Sequence, residues 1–438
     1  MKKVVDIMIR GIDYMIKHIL KYIIIFLSMV VLLAGMLVLC AKIPSSAIRG
    51  NVKESGQFLC QKPLFEKKLN QVEGSKIDHY ADAILLNIAY GYDRNHPLRS
   101  IMKAEYYHSD LHNENENLLK AATDDLSGNQ QYLRYWHGSN VIVKPLLVVW
   151  NLKEILICNG VVLAGLGILL IVLLVERKRW FLVAGMISGL TMISVWFVPF
   201  SLEYTWNFLL MFVCSIIAVI LSANKRFHQT GILFLISGIV TNYFDFLTTE
   251  TITLTVPLLL MLSIKNSSSE TETVNSFSLV GKSIFAWSFG YFGMWIMKWL
   301  LSAVILSQNV IPDVLQHAKE RSGGENGSKF FGYAGAAIWK NIKCLFPFEY
   351  GMAGILTGIT LVLILIYIAY VYHGKQIHWN SIVLYALIGC IPFIRFALLT
   401  NHSYVHCFFT YRAQIGTVLA VFLILEELTG DVWRQIRK

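Results

Sequence analysis

The chain has 438 residues, 55% of them hydrophobic and only 15% charged, with a formal net charge of +10. Soluble globular chains carry about 25% charged residues, so a water-soluble fold is excluded and most of this surface must meet lipid. The positive excess then reads as topology and contact with anionic headgroups, and nucleic acid is not expected as a partner.

Residues 1–21 place Val4, Met8, Ile12, Met15 and Ile19 at helical spacing, with Lys2, Lys3, Arg10, Lys17 and Lys21 among them. This predicts an interfacial amphipathic helix on the cytoplasmic leaflet, with the N-terminus inside. The apolar run 22–41 is long enough to span a bilayer and too long for a signal-peptide core, so a retained first transmembrane helix is expected. Residues 42–155 then form a large, mainly helical extracytoplasmic loop domain. Further apolar runs lie near 156–175, 180–200, 207–223, 230–247 and 251–264, giving transmembrane helices 2–6 over 156–264. A polar cytoplasmic linker at 265–282 follows, then runs near 283–306, 351–372, 381–399 and 413–428. These are helices 7–10 of the segment 283–428, with a second outer loop at 307–350 and a cytoplasmic tail at 429–438.

The connectors support this alternation. Arg177-Lys178-Arg179, Lys225-Arg226, Lys265, Lys282, Lys375 and Arg434 all fall inside, while the connectors 201–206 and 248–250 carry no Lys or Arg. The expected fold class is an all-α polytopic membrane protein of about ten transmembrane helices, both termini cytoplasmic. The seven cysteines are scattered without CxxC spacing, so a structural zinc site is not expected.

Polar residues gather on the outer side. In the first loop, Asp78 and Asp82 are four apart on a predicted amphipathic helix, with His79 beside them. They read either as exposed like charges or as a pair held together by a cation, proton or hydroxyl. Where the chain re-enters the membrane, Arg134 and Lys144 suit a phosphate, and Tyr135 and Trp136, next to His137, suit a sugar face. An ordinary interfacial aromatic belt with snorkelling cations accounts for the same residues. Asn242, Asp245 and Glu250 lie at the junction of the fifth and sixth runs. Glu250 also suits a helix cap, whereas Asp245 needs a cationic partner or water. Between the last two runs stand His402, His406 and Arg412, with Arg395 just inside the preceding span. The histidine spacing admits a divalent metal, but with no third ligand nearby a phosphate clamp fits better. Lys298 within a span and Glu203 in an outer connector complete the set.

The layout resembles the GT-C superfamily of polytopic glycosyltransferases that use lipid-phosphate-linked sugars. The segments Asp78-His-Tyr-Ala-Asp82, Arg134-Tyr-Trp-His-Gly138 and His402-Ser-Tyr-Val-His406 through Arg412 look like the polar motifs of such proteins. One departure is that the loop acid of those enzymes usually lies close after the first span, whereas Asp78 comes well beyond Ala41. The resemblance implies a bacterial plasma-membrane enzyme moving sugar from a polyprenyl-phosphate-linked donor to a glycan, lipid or protein acceptor. Asp78, Asp82 or Asp245 would be the base, cations would stabilise the phosphate leaving group, and no cofactor is certain. A polysaccharide polymerase of the O-antigen or capsule kind, a transporter and a non-catalytic envelope protein are the rival readings.

Overall fold

The computed structural model describes residues 2–267, 275–323, 330–374 and 377–436. Residues 268–274 of the expected inner linker, 324–329 of the second loop, Lys375 and the last two residues of the tail lie outside the described residues.

Among the described residues seven helices are long and apolar enough to cross a membrane: Ile19–Ala41, Leu152–Glu176, Leu202–Ala223, Ser276–Leu306, Gly351–Val371, Trp379–Leu398 and Cys407–Thr429. The first is the end of one unbroken helix, Lys2–Ala41. The most apolar window of Gly351–Val371 is only 11% buried within the protein, and it leaves Ile359, Leu363, Ile366 and Tyr370 exposed. Seven such helices with faces of this kind suit burial in lipid, and the chain is an all-α polytopic membrane protein.

Three other apolar runs are helical but shorter: Trp180–Met192, Thr230–Phe244 and Ile252–Asn266. With 1.5 Å per residue they rise about 20 Å, less than the roughly 30 Å of a hydrocarbon core. Thr230–Phe244 and Ile252–Asn266 meet at the junction 245–251. Trp180–Met192 stops before Ser194, at φ 53°, Thr230–Phe244 stops at Asp245, and Ile252–Asn266 begins after Thr251. Thr230–Phe244 and Ser276–Leu306 cross closely because both lack a side chain at the contact. A Cβ at Gly238 would overlap the Trp287 carbonyl, and one at Gly290 the Leu235 carbonyl.

Hydrogen bonds distinguish the two ends of the bundle. At one, Arg179 donates to the Ser263 carbonyl at 3.1 Å and reaches Glu426 at 3.5 Å, while the Gly374 amide donates to the Leu428 carbonyl. This is the end with the basic connectors. At the other, the Gly138 amide donates to the Tyr243 carbonyl and the Phe346 amide to the Met192 carbonyl. The 42–151 region sits on that second end. Ile48, Leu59, Leu86, Ala89 and Leu118 pack as one core with Leu152, Leu202 and Trp206 at the starts of two long helices. Among the described residues the regular strands are Phe65–Lys67 and Lys76–Asp78, an antiparallel pair that sets Phe65 opposite Asp78.

Candidate functional site

The strand pair ends on Asp78, which caps the His79–Gly91 helix by accepting the Ala81 amide at 2.9 Å. Asp78 and its cross-strand neighbour Phe65 line a cavity of about 460 Å³. Tyr80 and Ile84 continue that wall, and Glu203, in the first turn of Leu202–Ala223, adds a second carboxylate. One carboxylate oxygen of Glu203 is buried with no hydrogen-bond partner among the described residues.

The remaining walls come from segments remote in sequence. Tyr132, Tyr135 and His137 belong to the re-entry segment, and Phe246 follows Asp245. Glu320 and Arg321 come from the last turn of the Ile311–Ser322 helix, Asn401, His402 and His406 from the chain just before Cys407–Thr429, and Phe409 from the first turn of that last span. The Arg321 guanidinium lies 5.4 Å from the Tyr135 ring centre. Phe246 packs 5.4 Å from Tyr135 and 5.3 Å from His137, and the His402 and His406 rings are 4.8 Å apart. His137 sits at φ 54°, a left-handed conformation that histidine enters more readily than most side chains.

Burial sets the protonation of these groups. It raises the Asp78 carboxyl to about 7, against the pull of the Ala81 amide and Lys76. Burial, reinforced by the charge of Arg321, lowers His406 to about 4, and burial with Arg395 drives His402 well below its ordinary range. His137 falls to about 3 through burial and Lys298. The phosphate clamp expected at His402 and His406 is therefore corrected in its charge: near neutral pH these are neutral imidazoles, as is His137, and Arg321 is the cation of that wall.

Asp82 does not open on the cavity. It is fully buried and accepts the Ser201 hydroxyl and the Leu202 amide, both at 2.9 Å, so it caps the start of Leu202–Ala223 from another helix. Burial, with the Asp78 charge adding to it, raises its carboxyl to about 8. The reading of Asp78 and Asp82 as an exposed carboxylate pair is thus corrected. They are buried, and each caps a different helix.

Asp245 was expected beside a cation. Instead it accepts from Asn207 at 2.6 Å, the Thr248 hydroxyl and amide at 2.8 and 2.9 Å, and the Leu247 amide at 2.8 Å. Tyr291 completes the ring of donors at 3.3 Å. Among the described residues only neutral donors hold this carboxyl, whose proton affinity burial and Glu250 raise to about 6. The cation reaches Glu250 instead: Arg395 bonds it at 2.9 Å and also contacts Ser403, the Leu247 carbonyl and His402. Glu250 is therefore half of a buried ion pair behind the His402 wall, a partner the capping alternative did not include.

The other candidates lie outside this cavity. His79 bonds Glu66 at 3.0 Å. Trp136 is a core residue whose indole donates to the Met294 carbonyl, and the Lys298 ammonium binds the Ile101 and Met102 carbonyls. Lys144 is fully buried over the Tyr92 ring at 5.1 Å, and burial lowers it to about 8, so it does not snorkel to a headgroup. Asn242 is buried with neither amide atom bonded among the described residues. Arg412 is fully buried, stacked 4.6 Å from Tyr204 and bonded to the Gly74 carbonyl at 2.9 Å. Arg134 faces a second cavity. Among the described residues no three of His, Cys, Asp and Glu gather as a metal site.

Arg321, Tyr80, Tyr132, Phe246 and Asn401 were missed. For Arg321 a signal existed: Pro312 in a first turn, with Ile311, Leu315 and Ala318 at helical spacing, marks an amphipathic helix within the second loop. No protein-family model, curated protein or solved structure matches the chain.

Proposed function

We propose that the protein is a membrane glycosyltransferase of the GT-C kind, which transfers a sugar from a polyprenyl-phosphate-linked donor to a glycan, lipid or protein acceptor. The observation that carries this is one cavity, at the bundle end away from the basic connectors, where Asp78 and Glu203 share space with Arg321 and a rim of tyrosine and phenylalanine. The positive-inside rule puts that end outside, with both termini cytoplasmic, about ten spans and a bacterial plasma membrane as the setting.

In the reaction an acceptor hydroxyl attacks the anomeric carbon and gives its proton to Asp78, whose carboxyl near 7 suits a base at neutral pH. The bond from that carbon to the phosphate oxygen breaks, and the electron pair leaves on the phosphate, toward Arg321. The neutral histidines donate or accept hydrogen bonds to sugar hydroxyls, and the aromatic rim packs on the apolar ring faces.

The test uses purified protein in nanodiscs with a panel of polyprenyl-phosphate sugars, and reads release of polyprenyl phosphate. The expected result is turnover of at least one donor, with Asp78→Asn slower by about 10² to 10⁴. Turnover of no donor, or undiminished turnover by Asp78→Asn, would overturn the assignment.

A further inference from the structure

A second cavity of about 420 Å³ adjoins the first, and Tyr80, Ile84 and Tyr132 line both. Its far side is built by chain pairing. Tyr106 and Gln130 exchange backbone hydrogen bonds at 3.0 Å, which holds the Tyr106 ring and the Gln130 side chain on the same rim. The Tyr106 and Tyr132 rings lie 6.3 Å apart, and the Arg134 guanidinium sits 4.9 Å from the Tyr132 ring centre. Among the described residues its lining holds no carboxylate, the Glu320 carboxylate that His317 binds at 2.7 Å lying in the wall of the first cavity, and its charged or chargeable groups besides tyrosine are Arg134 and His317. The first cavity, by contrast, holds Asp78, Glu203 and Glu320.

We infer that the second cavity is a saccharide subsite that binds the next ring of an oligosaccharide acceptor, and that it favours a ring bearing an anionic group. This inference rests on the glycosyltransferase function proposed above and specifies its acceptor. Three features carry it. Tyrosine rings offer flat apolar surfaces for the faces of pyranose rings, and Gln130 and Gln131 supply both donors and acceptors for hydroxyls. Arg134, the fixed cation there, makes no ion pair within 4 Å among the described residues; its charge reaches Glu320, but that carboxylate is bonded to His317 at 2.7 Å, which leaves the planar donors of Arg134 for a ligand carboxylate or phosphate. The shared wall of Tyr80 and Tyr132 then separates two adjacent ring positions, with the reacting ring beside Asp78 and its neighbour beside Arg134.

The probe is a printed array of neutral, uronate-bearing and phosphate-bearing mono-, di- and tetrasaccharides, read with labelled protein in nanodiscs. The expected result is that acidic di- and tetrasaccharides bind at least about tenfold more tightly than any monosaccharide. Arg134→Met should remove that gain, a loss of about ten- to a hundredfold, the worth of a hydrogen bond to a charged group. Gln130→Ala, whose side chain lies on the rim, should weaken the longer ligands and spare the monosaccharides, and melting curves identify any variant that fails to fold. Asp78→Asn should leave the length preference in place. If monosaccharides bind as well as longer chains, or if Arg134→Met and Gln130→Ala both keep the preference, the second subsite is refuted while donor turnover still supports the enzyme. If no saccharide binds at any length and no donor turns over, both ideas fall together.

Discussion

Asp82 allows a test of the cap that joins the first-loop domain to the membrane helices. Asp82→Ala removes the acceptor of the Ser201 hydroxyl and of the Leu202 amide, each at 2.9 Å and buried. Ser201 can turn its hydroxyl elsewhere, whereas the Leu202 amide at the helix start cannot. Losing the cap costs about 0.5–2 kcal/mol and stranding a buried donor about 1–3 kcal/mol, so a total near 3 kcal/mol is expected. In a chain of this size that corresponds to a fall in melting temperature of about 3–6 °C. Asp82→Asn keeps one oxygen for both donors and should melt near the wild type at pH 7. The sign of the pH effect follows from burial. A carboxyl raised to about 8 in the folded protein contributes stability that is fully present below its ordinary range near 4 and is lost as pH rises through 8. The wild-type melting curve should therefore slope down with pH over that window, and the Asp82→Asn curve should be flatter. The assay is intrinsic tryptophan fluorescence during heating of detergent-solubilised protein from pH 5 to 9. A melt of Asp82→Ala within a degree of wild type, or equal damage from Asn and Ala, would refute the cap.

Two more outcomes are expected. Glu250→Gln should cost about 3–5 kcal/mol by leaving Arg395 buried without its carboxylate, and adding Arg395→Met should recover part of that loss; a double variant less stable than both single ones would contradict a self-contained pair. For donor turnover, the rate should fall as pH drops below about 7, because the base must be ionised and burial has moved Asp78 there; a rate independent of pH from 5 to 8 would assign proton removal elsewhere.

Much of the helical layout was readable because a run of apolar residues long enough to span lipid leaves few other folds. Ile19–Ala41 and Leu152–Glu176 are of that kind. The short helices were less so, since Thr230–Phe244 ends where Asp245 accepts five hydrogen bonds, one from Asn207 in another helix. Asp82 and Ser201 are 119 residues apart, and no local pattern announces that one caps the helix of the other. Chemical type was readable at His402 and His406, but charge was not, because it depends on burial and on Arg321 and Arg395 arriving from elsewhere. Arg412 and Trp136 show the converse: residue types suited to binding a phosphate or a sugar serve here as core.

The three short helices also shape the electric field. Where Trp180–Met192, Thr230–Phe244 and Ile252–Asn266 stop, the insulating layer is about two-thirds as thick as the surrounding hydrocarbon. The first cavity, which Phe246 lines just past the end of Thr230–Phe244, stays close to the potential of the solution it opens to. The membrane voltage is then compressed into the thinner layer beneath, where the local gradient is about one and a half times the average. A charge that moves within that cavity would cross almost none of the voltage, so its position there would be insensitive to the energisation of the membrane.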